Sequence, residues 1–387
     1  VIRNNLIVDE GDPLNEILFN KSVNNLKSLG IFKKVNTDIK EGSNSSLKII
    51  DINIEERPSG EISLSAGFGT TGELIGGGLK EKNFLGKGIN LDTSLELTPE
   101  SVKGNFVYAK PNFNNTDNTL FTSLKSSTND FLSNSGYKTS ELGFSLGTKF
   151  EQFQNIFLSP EIDFLLEDLE TSNKASDVLK KQEGSYTDLY FNYTINQDLR
   201  DRKFRTQDGY QTFFSQEVPL ISDNSEFSNA FEFSKFKKLS TKSDTIGKVS
   251  FFAKTITSLS DDVRISKRLN IPTNKLRGFE KGRVGPIDNN DYVGGNHVTT
   301  LNLSATLPNI LEDLDNLDIG VFFDAANIWG VDYNSSLDDK STIRTSTGIA
   351  FNLLTPIGPL SFSFANALTK ASSDKTETFR FRLGTQF

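Results

Sequence analysis

Hydrophobic and polar residues alternate one by one along most of the chain after residue 60. Leu142, Phe144 and Leu146, for example, are separated by Gly143 and Ser145. Because successive side chains of a β-strand point to opposite faces, this pattern predicts strands with one apolar and one polar face. We count about sixteen such segments, which leaves roughly 20 residues for each strand with its turn or loop. They start near residues 61, 73, 88, 101, 119, 137, 155, 185, 209, 225, 246, 297, 317, 343, 360 and 378.

Residues 1–59 follow a different pattern. Apolar residues recur at steps of four and three, as on the buried face of a helix: Phe19, Val23, Leu26 and Leu29. Asp12 and Pro13 are typical of the N-cap and the first position of that helix. Two strand-like runs follow, residues 31–39 and 47–55. One helix and two strands are few elements for an independent domain, so we interpret residues 1–59 as the remaining part of a larger α/β domain.

The strands after residue 60 fit either a soluble sandwich or a membrane barrel, and composition distinguishes the two. Hydrophobic residues make up 35% of the chain and the mean hydropathy is −0.37, which is little apolar material for a packed core. The apolar faces are rich in phenylalanine, of which the chain has 32. An outer-membrane barrel turns apolar residues to lipid and polar residues to a watery lumen. We therefore predict that residues 60–387 form an all-β transmembrane barrel of about 16 antiparallel strands.

The composition offers little chemistry. The net charge of −8 argues against nucleic-acid binding. Cysteine is absent and His297 is the single histidine, so the chain has no multi-histidine metal site, and a Ser-His-Asp/Glu triad would have to be built around His297. The G-x-G-x-x-G pattern at residues 67–72 is followed by more glycines instead of the helix that a dinucleotide site requires. Paired carboxylates such as Asp261 and Asp262 lie in predicted loops as solvated charge. We expect no catalytic residue, no metal, no cofactor and no enzymatic activity.

The longest segment without a strand pattern is residues 258–296, and it contains Arg277 beside Gly278. Long loops of this kind are usually functional when they are ordered. An arginine at the tip of a loop that folds into a barrel is suited to bidentate pairing with a carboxylate in the lumen. Asp324 lies on the polar face of a predicted strand, and we expect it to be the acceptor.

The final strand carries aromatic or apolar residues at alternate positions: Phe379, Phe381, Leu383 and Phe387. This pattern fits a strand that faces lipid. It also fits a recognition signal that is added to an exposed sheet edge through backbone hydrogen bonds. Both interpretations hold together.

Five short motifs, in this order, resemble those of the Omp85 family of outer-membrane proteins. They are NFLGKG at 83–88, DLRD at 198–201 with DG at 208–209, LRGF at 276–279, FFDAANIW at 322–329 and TPIGPL at 355–360. In addition, LGIF at 29–32 and EER at 55–57 are similar to the end of the family's last POTRA domain, a periplasmic α/β module. The resemblance implies that residues 1–59 are a truncated POTRA domain without its first strand, and that the chain is a fragment.

The same resemblance assigns roles to individual residues. Residues 258–296 correspond to the family's loop six, with Leu276, Arg277, Gly278 and Phe279 at its tip. Asp324 is the lumen partner of that tip, and Ser304 stands where the family tends to have an acidic partner. A lateral gate lies between the first and last strands of the barrel. Its residues are Glu61, Ile62, Ser63, Leu64, Ser65, Ala66, Gly67 and Phe68 on the first strand, and Phe379, Phe381, Leu383, Gly384 and Phe387 on the last.

The implied function is that of a non-enzymatic insertase, which folds β-barrel proteins into the outer membrane through the lateral gate. The implied partners are the outer-membrane lipid bilayer, unfolded β-barrel clients, accessory outer-membrane lipoproteins and periplasmic chaperones. The implied location is the outer membrane of a Gram-negative cell, with the N-terminal part in the periplasm.

Two alternatives remain open. One is a TamA-like or two-partner secretion translocase of the same superfamily, which the number of missing POTRA domains would distinguish from the insertase. The other is a passive porin, although a porin needs neither the loop-six motif nor a POTRA remnant.

Overall fold

A computed structural model describes residues 1–44, 46–70, 72–203, 205–240, 245–307, 316–334, 337, 341–355 and 358–384 of the chain. In these ranges, an N-terminal unit with one α-helix and two strands precedes a closed barrel. No helix within them is long and apolar enough to cross a membrane.

The N-terminal unit matches the predicted pattern of one helix and two strands. After a 3₁₀ turn at Arg3–Asn5, helix α1 spans Glu16–Ser28. Strands β1, Phe32–Glu41, and β2, Lys48–Glu56, pair in antiparallel register. On the helix, the predicted apolar face is buried, and Leu26 is completely excluded from solvent. The identity of this unit as a partial POTRA domain stays a prediction.

The predicted N-cap of the helix is wrong. Asn15, rather than Asp12, has the extended backbone of a cap, and its side chain accepts hydrogen bonds from the amides of Ile17 and Leu18. Asp12 instead accepts a hydrogen bond from the amide of Asp9, within the preceding turn. Both residue types are good caps, so composition alone does not choose between them.

Sixteen strands of the described chain form one closed antiparallel sheet. Strands that follow one another along the chain are neighbours in the barrel, and the last strand pairs with the first. One of these neighbouring pairs is separated along the chain by a long loop. Every strand begins within two residues of its predicted start, so the predicted fold class is confirmed. The strands are β3 (Gly60–Gly69), β4 (Gly72–Phe84), β5 (Ile89–Leu97), β6 (Ser101–Lys110), β7 (Thr119–Phe131), β8 (Tyr137–Phe153), β9 (Ile156–Thr171), β10 (Gly184–Asp198), β11 (Gly209–Ser222), β12 (Glu226–Lys238), β13 (Ile246–Ser258), β16 (His297–Thr306), β17 (Leu317–Trp329), β18 (Arg344–Thr355), β19 (Gly358–Thr369) and β20 (Phe379–Gly384).

The two faces of each barrel strand have different surroundings, because closure turns one face outwards and the other into the lumen. On β5, Leu95 and Leu97 point outwards and are 49% and 38% exposed. Ser94 and Glu96 point the opposite way, into the lumen. Other exposed apolar residues of the outer surface include Phe144, Phe164, Phe251 and Leu301. This apolar outer belt is what contact with lipid requires.

Loop six occupies residues 259–296 and folds into the barrel. It contains the short paired strands β14, Ile287–Asp288, and β15, Asp291–Tyr292. One buried cluster joins Val263, Leu269, Leu276, Phe279 and Val284 of the loop to Ile256, Val298, Ala326 and Ile328 of the wall. A second joins Ile265 and Val293 of the loop to Tyr137, Leu169, Ala175, Leu179 and Val331, near the short helix α2 at Asp177–Lys180. The packed loop therefore fills this end of the lumen.

A charge on the outer face should destabilise the barrel more than the same charge in the lumen. We expect Leu95→Lys to lower the free energy of unfolding by about 2 kcal/mol, because it places an ammonium group against lipid. Ser94→Lys puts that group into the lumen, and the loss should stay below about 0.5 kcal/mol. Urea titrations in lipid vesicles measure both values. Equal losses would contradict the assignment of the two faces.

Candidate functional site

Arg277, at the tip of loop six, is held by Asp324 of β17. The amide and Nε of Arg277 donate hydrogen bonds to Oδ2 of Asp324 over 3.1 and 2.7 Å, and Nη2 donates to Oδ1 over 2.7 Å. The Asp324 side chain is fully buried, whereas that of Arg277 is 21% exposed. Gly278 follows with φ at +85°, a backbone conformation that favours glycine. The tip thus turns sharply at the point where the arginine enters its bidentate contact.

The other residues of the predicted tip anchor it by burial. Leu276 and Phe279 are 3% and 2% exposed and belong to the cluster between loop six and the wall. A side chain at Gly278 would also be crowded, since an added Cβ would lie 3.2 Å from Cβ of Ala365 and 3.3 Å from Cβ of Ser346. The structure therefore brings all four tip residues and Asp324 into one site.

Two residues that sequence reasoning missed complete the contact. The guanidinium carbon of Arg277 lies 3.4 Å from the ring centroid of Phe322, which precedes Asp324 by two positions on β17. Asn302 of β16 donates hydrogen bonds to Oδ1 of Asp324 over 2.8 Å and to the carbonyl of Lys275 over 2.7 Å. Ser304, further along β16, is not among the hydrogen-bond partners of Arg277 in the described part. The available sequence signal was a phenylalanine on the polar face of a strand.

Arg264, near the beginning of loop six, is buried in a ring of carboxylates. Its guanidinium donates hydrogen bonds to three strands: to Glu167 of β9 over 3.0 Å, Asp188 of β10 over 2.6 Å and Glu226 of β12 over 2.8 Å. The four side chains are at most 2% exposed. The ring of Tyr186 lies 4.4 Å from the guanidinium carbon. Because three buried carboxylates without a cation would be strongly destabilising, this ring depends on a docked loop six.

The carboxylate ring surrounds the guanidinium of Arg264. Across the described ranges, no group of three or more His, Cys, Asp or Glu side chains is arranged to hold a metal ion. The three carboxylates converge on a guanidinium, whose donors lie in one plane and point in fixed directions.

Arg268 fastens the same part of loop six to the segment after β17. It donates hydrogen bonds to the carboxylate of Asp332, to the carbonyl of Val263 and to Oδ1 of Asn296. Burial works against ionisation of Asp332, but the charge of Arg268 and hydrogen bonds from the Val263 amide and from Asn296 hold its pKa below the usual range. Asp332 is therefore a charged anchor at neutral pH.

The predicted lateral gate corresponds to the seam where β20 meets β3. The register at the seam joins Arg382 to Gly69, Leu383 to Phe68, and Gly384 to Gly67. On its other side, β3 pairs with β4 along all of Gly60–Gly69. Residues 60–66 of β3 have no register partner on the described part of β20. In the described part, the seam thus has fewer register pairs than the pairing of β3 with β4.

The predicted gate residues occupy both sides of this seam. Ile62 and Leu64 of β3 are 80% and 85% exposed on the outer surface. The rings of Phe68 and Phe381 meet edge to face across the seam, with centroids 6.2 Å apart. Phe379 and Phe381 pack on Phe364 and Phe362 of β19, respectively. Phe387 lies outside the described residues.

Comparison with known proteins agrees with the barrel fold. The family model described as the Omp85 superfamily domain matches residues 83–387. The chain belongs to the Omp85 superfamily. This membership and the barrel fold assign it to the outer membrane.

Two curated relatives that match the whole chain are BamA proteins. The outer membrane protein assembly factors BamA of Neorickettsia risticii and Neisseria meningitidis are 21% and 25% identical to the whole chain. The chain covers 53% and 54% of them, so it spans about half the length of the curated relatives that it matches. The crystal structure of BamA from Haemophilus ducreyi lacking POTRA domains 1–3 has a TM-score of 0.86 at 23% identity, over all of this chain and 81% of that one. This last likeness concerns the fold.

Removing the carboxylate of Asp324 should release the tip of loop six. We expect Asp324→Asn to lower the free energy of unfolding by about 3 kcal/mol, since the guanidinium loses its anionic partner in a largely buried site. The matched control is Asp318→Asn on the same strand. Its ion pair with Arg205 is 3.3 Å long and more than 40% exposed on both sides, so the loss should stay below about 1 kcal/mol. Urea titration and protease cleavage within loop six measure the two effects, and similar results for both variants would contradict the anchor.

Gly69 should be required for closure of the seam. An added Cβ would lie 2.3 Å from the carbonyl oxygen of Phe381 and 3.1 Å from Cα of Arg382. At Gly67, the nearest atom, the carbonyl oxygen of Leu383, would be 3.4 Å away, which is ordinary contact. We expect Gly69→Ala to slow disulfide formation between Phe68→Cys and Leu383→Cys about tenfold, because overpacking costs about 1–3 kcal/mol. Gly67→Ala is the control. An equal rate of disulfide formation in both variants would show that the close contact between Gly69 and the backbone of β20 does not limit closure of the seam.

Proposed function

We propose that the chain folds and inserts other β-barrel proteins into the outer membrane, using the seam between β20 and β3 as a lateral gate. The observation that carries this proposal is the short register at the seam. Residues 60–66 of β3 present backbone donors and acceptors that have no partner on the described part of β20. In the described part, this edge of β3 is therefore where a further strand could join the barrel.

The physical basis is the cost of unpaired backbone groups in lipid. Each unsatisfied N–H or C=O group costs several kcal/mol there, so an unpaired edge strongly favours the addition of a strand. A client strand with alternating apolar residues would gain main-chain hydrogen bonds from β3 and place its apolar face beside Ile62 and Leu64. Pairing and burial supply the free energy, so the proposed activity is non-enzymatic and needs no cofactor.

Loop six favours an insertase over a passive porin. Its apolar residues pack in two clusters against the wall, and Arg264, Arg268 and Arg277 are paired with carboxylates of the barrel. A lumen filled in this way does not serve simple diffusion. It does provide a stiff support on the inner side of the strands next to the seam.

The partners follow from the same proposal. They are the lipid bilayer, unfolded β-barrel clients, accessory outer-membrane lipoproteins and periplasmic chaperones, with the N-terminal unit on the periplasmic side. The support is that the relatives from Neorickettsia risticii and Neisseria meningitidis are outer membrane protein assembly factors.

Locking the seam tests the proposal. The chain contains no cysteine, so Phe68→Cys with Leu383→Cys introduces a single disulfide between register partners. We expect liposomes with the reduced variant to accelerate folding of an outer-membrane client, and oxidation to reduce the rate at least about tenfold, because β-strand addition needs a free edge. Reductant should restore the rate.

The matched control places a disulfide between Leu79→Cys and Thr93→Cys, register partners on β4 and β5. This bond crosses an ordinary strand pair and should leave client folding unchanged. Client folding that survives the seam lock would overturn the lateral gate. Liposomes that become permeable to small solutes without any client folding would support the porin instead.

A further inference from the structure

Arg380 of the last strand reaches inwards to loop six. Its Nη1 donates a hydrogen bond to the carbonyl of Thr273 over 2.7 Å, and its Nη2 donates to the carbonyl of Phe279 over 2.6 Å. Nε and Nη2 also donate to Oε2 of Glu377, over 3.1 and 3.0 Å. Thr273 and Phe279 lie on the two sides of Arg277, so one guanidinium spans the base of the tip. Its side chain is 14% exposed.

The backbone continues this attachment along the segment that leads into β20. The amide of Glu280 donates to the carbonyl of Lys375 over 3.0 Å, and the amide of Lys375 donates to the carbonyl of Arg283 over 3.0 Å. The amide of Glu377 donates to the carbonyl of Gly278 over 3.1 Å. Loop six and the entry to the last strand therefore form a small antiparallel ladder.

The other side of the seam has no comparable attachment. Among the described residues, no hydrogen bond or ion pair joins loop six to β3 or β4. The last strand is consequently held at this end by loop six and β19, and it meets β3 through the short register at the seam. Its alignment there depends on where loop six places it.

We propose that Arg380 is a positioning residue, which fixes the last strand to the tip of loop six and thereby sets the register of the seam. This inference rests on the proposed function of the seam as the gate for clients. Arginine suits the task because its planar fork serves three acceptors in fixed directions. Lysine keeps the charge but cannot hold the two carbonyls and the carboxylate in that geometry.

The first test measures the seam directly. In the background of Phe68→Cys with Leu383→Cys, we expect Arg380→Gln and Arg380→Lys to slow disulfide formation about tenfold, the factor that corresponds to one lost charge-assisted hydrogen bond. Arg200→Gln is the matched control. Arg200, between β10 and β11, loses a charge-assisted contact with Asp198 in the same way, and its side chain is 18% exposed, but it lies away from loop six and from the seam. Equal rates for the substitutions at both positions would overturn the inference.

The second test uses client folding and a covalent replacement for the lost contact. We expect Arg380→Gln to slow client folding about tenfold and Arg200→Gln to leave it within about twofold, on the same hydrogen-bond reasoning. The pair Glu280→Cys and Lys375→Cys is then added to the variant. These two exposed residues of the ladder are joined by the hydrogen bond from the Glu280 amide to the Lys375 carbonyl, so a disulfide between them links the same two segments. Oxidation of this pair should restore folding in the Arg380→Gln protein, and reductant should abolish the rescue.

The outcomes separate the inference from the proposed function. If the unaltered chain does not accelerate client folding, the proposed function fails. If the unaltered chain accelerates client folding but Arg380→Gln has no effect, the role of Arg380 fails while the lateral gate stands. The same holds if the disulfide does not restore client folding, provided that the variant barrel still resists unfolding in cold detergent and is therefore folded.

Discussion

In the described part, three register pairs join β20 to β3, whereas β3 pairs with β4 along all of Gly60–Gly69. Closure is what allows strands to cross lipid, because it leaves no backbone edge without hydrogen bonds. A short seam therefore concentrates the instability of the whole barrel in one place. The close approach at Gly69 lets the few pairs form tightly, while residues 60–66 remain without a partner in the described part. In the described part, the register thus closes the Gly67–Gly69 end of the seam.

Loop six is held in the barrel by polar contacts as well as by its two apolar clusters, since the lumen faces of the strands offer limited apolar surface. Buried arginine–carboxylate pairs add little net stability compared with apolar packing, but removing one partner is strongly destabilising. Arg264, Arg268 and Arg277 bind strands or segments on different sides of the barrel. Each pair therefore specifies one position of the loop. This explains how 38 residues between β13 and β16 hold a defined path with so little regular structure.

The sequence was sufficient for the barrel because its physical requirement is local. Lipid on one side and water on the other impose a period of two residues, and each strand shows it independently of its neighbours. The pairing of Arg277 with Asp324 was also accessible, since both residues stand out in their segments. The ring around Arg264 was not accessible, because Glu167, Asp188 and Glu226 come from separate strands and resemble many of the 50 acidic residues. Only the register of the closed sheet brings them together.

Arg380 illustrates the same limit at the seam. In the sequence it is one polar position between Phe379 and Phe381, as alternation requires. Its partners are backbone carbonyls of loop six, which carry no residue-specific signal. Apart from its register with β3, the last strand thus has attachments of two kinds. It pairs with β19 through backbone hydrogen bonds, and the guanidinium of Arg380 donates hydrogen bonds to loop six. Because neither involves β3, separation of β20 from β3 breaks few hydrogen bonds and leaves the last strand supported. Separation at this seam would therefore leave the last strand in place, which is what the proposed gating of clients requires.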